Sequence, residues 1–286
     1  MALPRSNEFP SSPIRLSLDE MTAMTRRLRR HIVTMTAKAG SGHPGGSLSI
    51  VEITTALYFS VMRHNPKDPA WRDRDRLILS KGHAAPALYA TLAESGYFPV
   101  SELMTLRQLD SRLQGHTDKL LTPGVEMTAG ALGQGLSFAV GVALAGRLNH
   151  QGYRTYCILG DGECDEGQVW EAVMAASHFK LDNLTAILDR NRLQLDGFTK
   201  DIMDHSPLEK KWAAFGWWVK EIDGHSLSEV IDALNTAGTI KGQPSVIIAN
   251  TVKGKGVSFM ENNVDFHGRA PNAAELEKAL KELEQP

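Results

Sequence analysis

A chain of 286 residues that is 42% hydrophobic and 22% charged can bury a sizeable core in one large domain or two small ones. Its formal net charge of −2 gives no electrostatic reason to bind nucleic acid or an anionic membrane, and no apolar run approaches the roughly 20 residues needed to cross a bilayer. The N-terminus has no apolar core of a secretion signal, and the two cysteines, Cys157 and Cys164, show no metal-ligand spacing, so a cytoplasmic, reducing setting is the expectation.

Residues 1–17 are polar and proline-containing and read as an extended arm. Ser17 and Glu20 form a capping box for a helix that Gly40 stops, and its four arginines read as a solvated face. A glycine-rich turn, SGHPGGS (41–47), precedes a second helix over 48–62. A strand is expected at 76–79, a loop at 80–83 and a helix from Ala84 to about Glu94. Residues 97–129 are poorly periodic, and so long an irregular stretch in a compact domain points to function. A helix starts at about Leu132. The series continues with strand YCILGD, helix VWEAVMAASHFK, strand NLTAILDRN, strand WWVKEIDG, helix SLSEVIDALNTAG and strand PSVIIANTV. A Gly/Asn loop follows at 253–273, then a charged helix. This alternation predicts an α/β fold, a largely parallel sheet covered by helices on both faces. The expected organisation is an arm (1–17), one domain (18–272) and a helical tail (273–286).

The segment GDGECDEG (160–167) places four carboxylates and three glycines at a strand end. A calcium loop of the EF-hand type fails: Asp161, Glu163 and Asp165 fit its first ligands, but Glu166 stands at the glycine position and Ala172 at the final glutamate. No GK[ST] follows, and the glycine spacing misses G-x-G-x-x-G. A charged turn in which Asp161 caps the next helix is the plain reading. Asn191 alters it, because it ends the next strand thirty residues after Asp161. A strand–helix–strand unit of that length brings both to the carboxyl edge of neighbouring parallel strands, where ligands of open α/β sheets bind. A carboxylate, a side-chain amide and a backbone carbonyl suit a hard cation such as magnesium, completed by phosphate oxygens and water.

The Asp-to-Asn spacing resembles the thiamine diphosphate motif, and six blocks in order narrow the resemblance to the transketolases. They are SGHPGGSLS (41–49), LSKGHAAPALY (79–89), GHTDK (115–119), GALGQGLS (130–137), GDGECDEGQVWEA (160–172) and VDFHGRAP (264–271). The resemblance runs from about residue 20 to 272. It implies a thiamine diphosphate-binding fold, specifically the diphosphate-binding domain. It also implies a divalent metal (Mg2+, or Ca2+ or Mn2+ in its place) on Asp161, Asn191 and the Leu193 carbonyl. Gly162 and His83 correspond to diphosphate-contacting positions, and Gly130, Ala131 and Leu132 to a loop along the cofactor. His43, His116 and His267 correspond to substrate-channel positions, His267 also touching the cofactor. Glu166 and Glu171 correspond to acidic residues of a proton network between two active sites. Glu163 and Asp165 receive no family role and read as solvated or capping. His31, His64, His150, His178, His205 and His225 read as ordinary surface or core residues.

The pyrimidine-binding domain that such enzymes need has no counterpart in these 286 residues. The resemblance therefore implies the N-terminal subunit of a split transketolase, one that works on ketose and aldose sugars or their phosphates. A second, C-terminal subunit is the expected partner, in a heterotetramer of two subunits each. Alternatives are another thiamine diphosphate enzyme subunit (deoxyxylulose-phosphate synthase-like or 2-oxo acid dehydrogenase-type), a transketolase for branched or sulfonated sugars, and a non-catalytic homologue. The retention of Asp161, Asn191, His43, His83, His116 and His267 speaks against the last.

Overall fold

A computed structural model describes residues 15–284. Most of the expected N-terminal arm lies outside the described residues. Helix α1 (Leu18–Ala39) begins with the capping box of Ser17 and Glu20 and ends at Gly40, whose φ of 61° is a left-handed stop. Its buried face carries Met21, Met24, Leu28, Ile32 and Met35, spaced three and four apart. The arginines do not all face solvent: Arg29 is buried and pairs with Glu52 at 2.6 Å, because a glutamate on a packed helix needs a cation.

The second helix is broken where one piece was expected. It comprises α2 (Pro44–Leu48), a kink at Ser49–Ile50, α3 (Val51–Ala56) and a widened π-type turn over Leu57–Val61. Pro44 sits in the first turn, where a missing N–H costs nothing, so helix reaches into the expected glycine turn.

Five parallel strands follow: β1 (Arg76–Leu79), β2 (Thr155–Gly160), β3 (Leu184–Arg190), β4 (Trp218–Asp223) and β5 (Ser245–Asn250). Their order is β1-β2-β3-β5-β4. Alternate residues feed two cores. Tyr156, Ile158, Ile187 and Ile247 face α1, α3, α4 (Ala85–Glu94) and α9 (Leu227–Thr239). Cys157, Leu159, Leu188 and Ile248 face α5 (Gln134–Leu148), α6 (Gly167–His178) and α8 (Leu208–Ala214). The steps from β1 through β4 run one way across the sheet and the step from β4 to β5 runs back, which puts α9 on the opposite face, as right-handed crossovers require. Charged Lys220 and Glu221 on edge strand β4 oppose pairing with another sheet.

Two helices between β3 and β4 were not expected, α7 (Thr199–Ile202) and α8. Helix α8 buries only Leu208 and Trp212, too few apolar positions to show a period in sequence. The last helix, α10 (Ala273–Glu282), caps itself through Asn272 and Glu275 and packs on α1, where Arg30 bonds the Leu280 carbonyl.

Candidate active site

The carboxyl ends of β1, β2, β3 and β5 meet at a cleft of about 230 Å³. Asp161, at the end of β2, is 1% exposed. Its Oδ1 accepts from the Gly162 N–H (2.9 Å) and its Oδ2 from the Arg192 N–H (2.7 Å). Arg192 presents that N–H from a left-handed conformation (φ 65°), an uncommon setting for a residue with a side chain and one that clusters at ligand sites. Burial, then the charge of Asp189, raises the Asp161 pKa to about 7. A cation bound beside Asp161 would reverse that shift.

Asp189, in the middle of the sheet, organises the neighbours. It accepts from Lys81, Thr251, Ser49 Oγ (2.8 Å) and Asn191 Nδ2 (2.6 Å). Burial alone would raise its pKa, but Lys81 and these donors bring it below the ordinary carboxylate value. Asn191 directs its amide nitrogen at Asp189, and its Oδ1 accepts from the Leu193 N–H at 3.1 Å, which fixes the amide's orientation. The Leu193 carbonyl accepts from Lys253 Nζ at 3.0 Å, so a cation already rests on the third expected metal ligand. Lys253 also lies 2.7 Å from His267 Nδ1, and burial followed by the charge of Lys81 lowers its pKa to about 8.

Glu163 is a correction to the solvated reading. It is 2% exposed and accepts from Ser80, the Gly133 N–H (2.9 Å) and the Gly160 N–H (3.1 Å). It therefore ties the 130–133 loop and the end of β1 to the GDG turn. Asp165 is exposed and accepts from Gln194 Nε2 at 2.7 Å.

Four histidines from four segments cluster at one side of the cleft: His83 and His267 line it, while His43 and His116 stand behind them and outside its lining. Ring centroids lie 5.5 Å apart for His43 and His83, 5.8 Å for His43 and His116, 5.6 Å for His43 and His267, and 5.0 Å for His83 and His267. Gly45 permits this, since a Cβ there would lie 2.8 Å from the Phe266 carbonyl oxygen, and its own carbonyl accepts from the Gly254 N–H. Every ring is shifted toward its neutral form. Burial first, then Arg107, His116 and Lys253, lowers His43 to about 4. Burial, then Lys253, His43 and Lys81, lowers His267 to about 3. Burial and Arg107 lower His116, and burial with Lys81 takes His83 well below the ordinary value.

Leu132, Gly162, Asn191, Leu193, His83 and His267 line the cleft with Asp161, while Gly130 and Ala131 lie at the exposed end of the same loop. Glu166 and Glu171 do not join the cleft and face outward on α6. Sequence reasoning missed Lys81, Asp189 and Lys253. A carboxylate inside the apolar strand LTAILDR was the available signal, because a buried charge demands a partner.

An open parallel sheet with a buried cation- and phosphate-compatible cleft at its carboxyl edge defines an α/β ligand-binding enzyme domain. The family described as "Transketolase, thiamine diphosphate binding domain" matches residues 20–284. The chain belongs to the transketolase family. It is 48% identical, over 90% of its length and 94% of the relative's, to the 6-deoxy-6-sulfo-D-fructose transketolase subunit SqwG of Clostridium sp. (strain MSTE9). It is 47% identical to an apulose-4-phosphate transketolase subunit of Actinobacillus succinogenes, covering 95% of this chain and 99% of that one. Among solved structures, the transketolase of Campylobacter jejuni superposes with a TM-score of 0.88 at 33% identity, over 94% of this chain and 43% of that one. The chain thus spans less than half of that longer enzyme. Among the described residues no helix is long and apolar enough to cross a membrane.

Proposed function

We propose that this chain is the diphosphate-holding subunit of a two-subunit transketolase, moving a two-carbon ketol unit from a ketose or ketose-phosphate donor to an aldose acceptor. The observation that carries the reading is one sheet edge where Asp161, Asn191 and Leu193 stand beside the four-histidine cluster. Two relatives of similar length are named as transketolase subunits, which supports the need for a second chain. Their names also point to sulfonated and branched sugars as the range in which the substrate falls.

In this reading Asp161, Asn191 and the Leu193 carbonyl hold Mg2+, or Ca2+ or Mn2+ in its place. Gly162 leaves room for the diphosphate, Lys81 and Lys253 balance its charge, and His83 contacts it as a neutral hydrogen-bonding group. Leu132, with Gly130 and Ala131, lines the cofactor's path. Thiamine diphosphate, when bound, supplies the carbanion that carries the two-carbon unit. His43, His116 and His267 hold the sugar hydroxyls and handle their protons, which neutral imidazoles can do near neutral pH. Glu166 and Glu171, on the outward face of α6, suit a proton network shared with another chain. A C-terminal subunit bearing the pyrimidine-binding domain completes the cleft in a cytoplasmic heterotetramer of two subunits each, serving pentose phosphate or related carbohydrate metabolism.

The test is reconstitution with the candidate second subunit, thiamine diphosphate and Mg2+. Ketol transfer is expected only with both chains present. It should vanish after chelation and return on adding Mg2+, Mn2+ or Ca2+. Full turnover by the 286-residue chain alone would overturn the two-subunit reading.

A further inference from the structure

Arg107 stands at the edge of the histidine cluster, and its partners among the described residues are neutral. Its backbone is left-handed (φ 59°), and its N–H bonds the Leu113 carbonyl at 2.8 Å, closing the 107–113 turn that precedes Gly115 and His116. The guanidinium donates to Ser41 Oγ (3.0 Å) and the Gly115 carbonyl (3.4 Å), and its Nη2 lies 3.3 Å from His43 Nδ1. Gly115 makes the room, because a Cβ there would come within 2.8 Å of the guanidinium carbon. The Nε is buried and has no partner among the described residues. So much local structure arranged around one unpaired cation calls for a reason.

A guanidinium only donates and does not lose its proton in a protein. In this contact His43 Nδ1 must therefore be the acceptor, and the neutral ring must carry its proton on Nε2. We propose that Arg107 is a positioning residue that fixes His43 in the Nε2–H tautomer, so that His43 meets the reacting sugar as a hydrogen-bond donor and not as the base that takes its hydroxyl proton. The role toward the sugar rests on the transketolase reading; the tautomer does not.

The surroundings agree. The groups facing His43 are Arg107 and His116 from the irregular loop, His83 after β1, and Lys253 and His267 from the C-terminal segment. None is a carboxylate that could draw a second proton onto the ring, and burial with these cations keeps it neutral. Proton removal then falls to a ring without such a clamp. His116 qualifies, 5.8 Å from His43 between centroids and without a hydrogen bond to its ring nitrogens among the described residues.

The experiment is long-range 1H–15N correlation of the imidazoles in the uniformly labelled 286-residue chain, with the His43 signals assigned by loss in His43→Gln. At about pH 7 His43 should show a protonated Nε2 and a bare Nδ1, and it should titrate far below the ordinary histidine value of about 6.5. Arg107→Met should give a mixture of tautomers and a higher titration midpoint. Ser41→Ala removes another acceptor of the same guanidinium and should leave the His43 signals unchanged. Arg107→Lys should restore part of the Nε2–H population. In the reconstituted enzyme Arg107→Met should lower kcat by ~10-fold or more, up to the ~10²–10⁴-fold of general acid–base effects, while KM moves little. A wild-type His43 protonated on Nδ1, or doubly protonated at neutral pH, overturns the proposal, as does an Arg107→Met spectrum identical to wild type. Should Arg107→Met not fold, the wild-type tautomer decides alone. Absence of any ketol transfer would sink the transketolase reading and leave the tautomer result standing.

Discussion

Asp161 and Asp189 are two buried carboxylates with opposite fates. Asp189 has Lys81 against it and stays ionised, whereas Asp161 has only backbone donors and is raised to about 7. The residue with the unanswered charge is the one expected to meet the metal. Asp161→Ala should therefore abolish metal-dependent binding of thiamine diphosphate, read by quenching of intrinsic fluorescence, while circular dichroism stays native. Retained binding would remove Asp161 from that role. The histidines make a separate prediction. An unfolded histidine protonates near ~6.5, while folded His43 does so at about 4. Between these values the unfolded chain holds the extra proton, so this group's contribution to stability is complete above ~6.5 and is lost as pH falls through about 4. The urea-midpoint advantage of wild type over His43→Asn should shrink as pH is lowered across that window. A pH-independent difference would mean an ordinary imidazole.

At the scale of elements, Glu163 does what no strand or helix does: it joins the end of β1, the 130–133 loop and the GDG turn. Glu163→Ala leaves Ser80, Gly133 N–H and Gly160 N–H without an acceptor, at about 1–3 kcal/mol for each group left unsatisfied. Urea unfolding should show a loss of at least ~2 kcal/mol, and Glu163→Gln, which keeps an acceptor, a smaller one. A loss below ~0.5 kcal/mol would mean the groups find water. Glu163 also marks where sequence reading stops. The strands, α1 with its capping box, α9 and the Asp161–Asn191 spacing were legible because periodicity, caps and breakers are local signals. The partners of Glu163, the Lys81–Asp189 pair and Lys253 on the Leu193 carbonyl were not, since each joins distant segments that only the folded sheet brings together. Helix α8 escaped for lack of apolar positions, and the kink at Ser49–Ile50 because every residue around it is buried, which erases periodicity.

For the whole molecule, the two-subunit reading gives the cleft one wall in this chain and a second in its partner. In this chain the cleft holds about 230 Å³, below the ~300–1,000 Å³ usual for a small-molecule pocket, as that reading expects. The outward Glu166 and Glu171 suit the same assembly. The histidine cluster has a consequence for how the chain folds. Its four imidazoles come from the turn before α2, the end of β1, the irregular loop and the last 3-10 turn, so no contiguous fragment contains them. Closing contacts of such long range carries a loop-entropy cost that short-range helix and turn formation does not. A partly folded chain can hold sheet and helices and still have no cleft, so cofactor affinity requires long-range closure of the whole domain and not of any one segment.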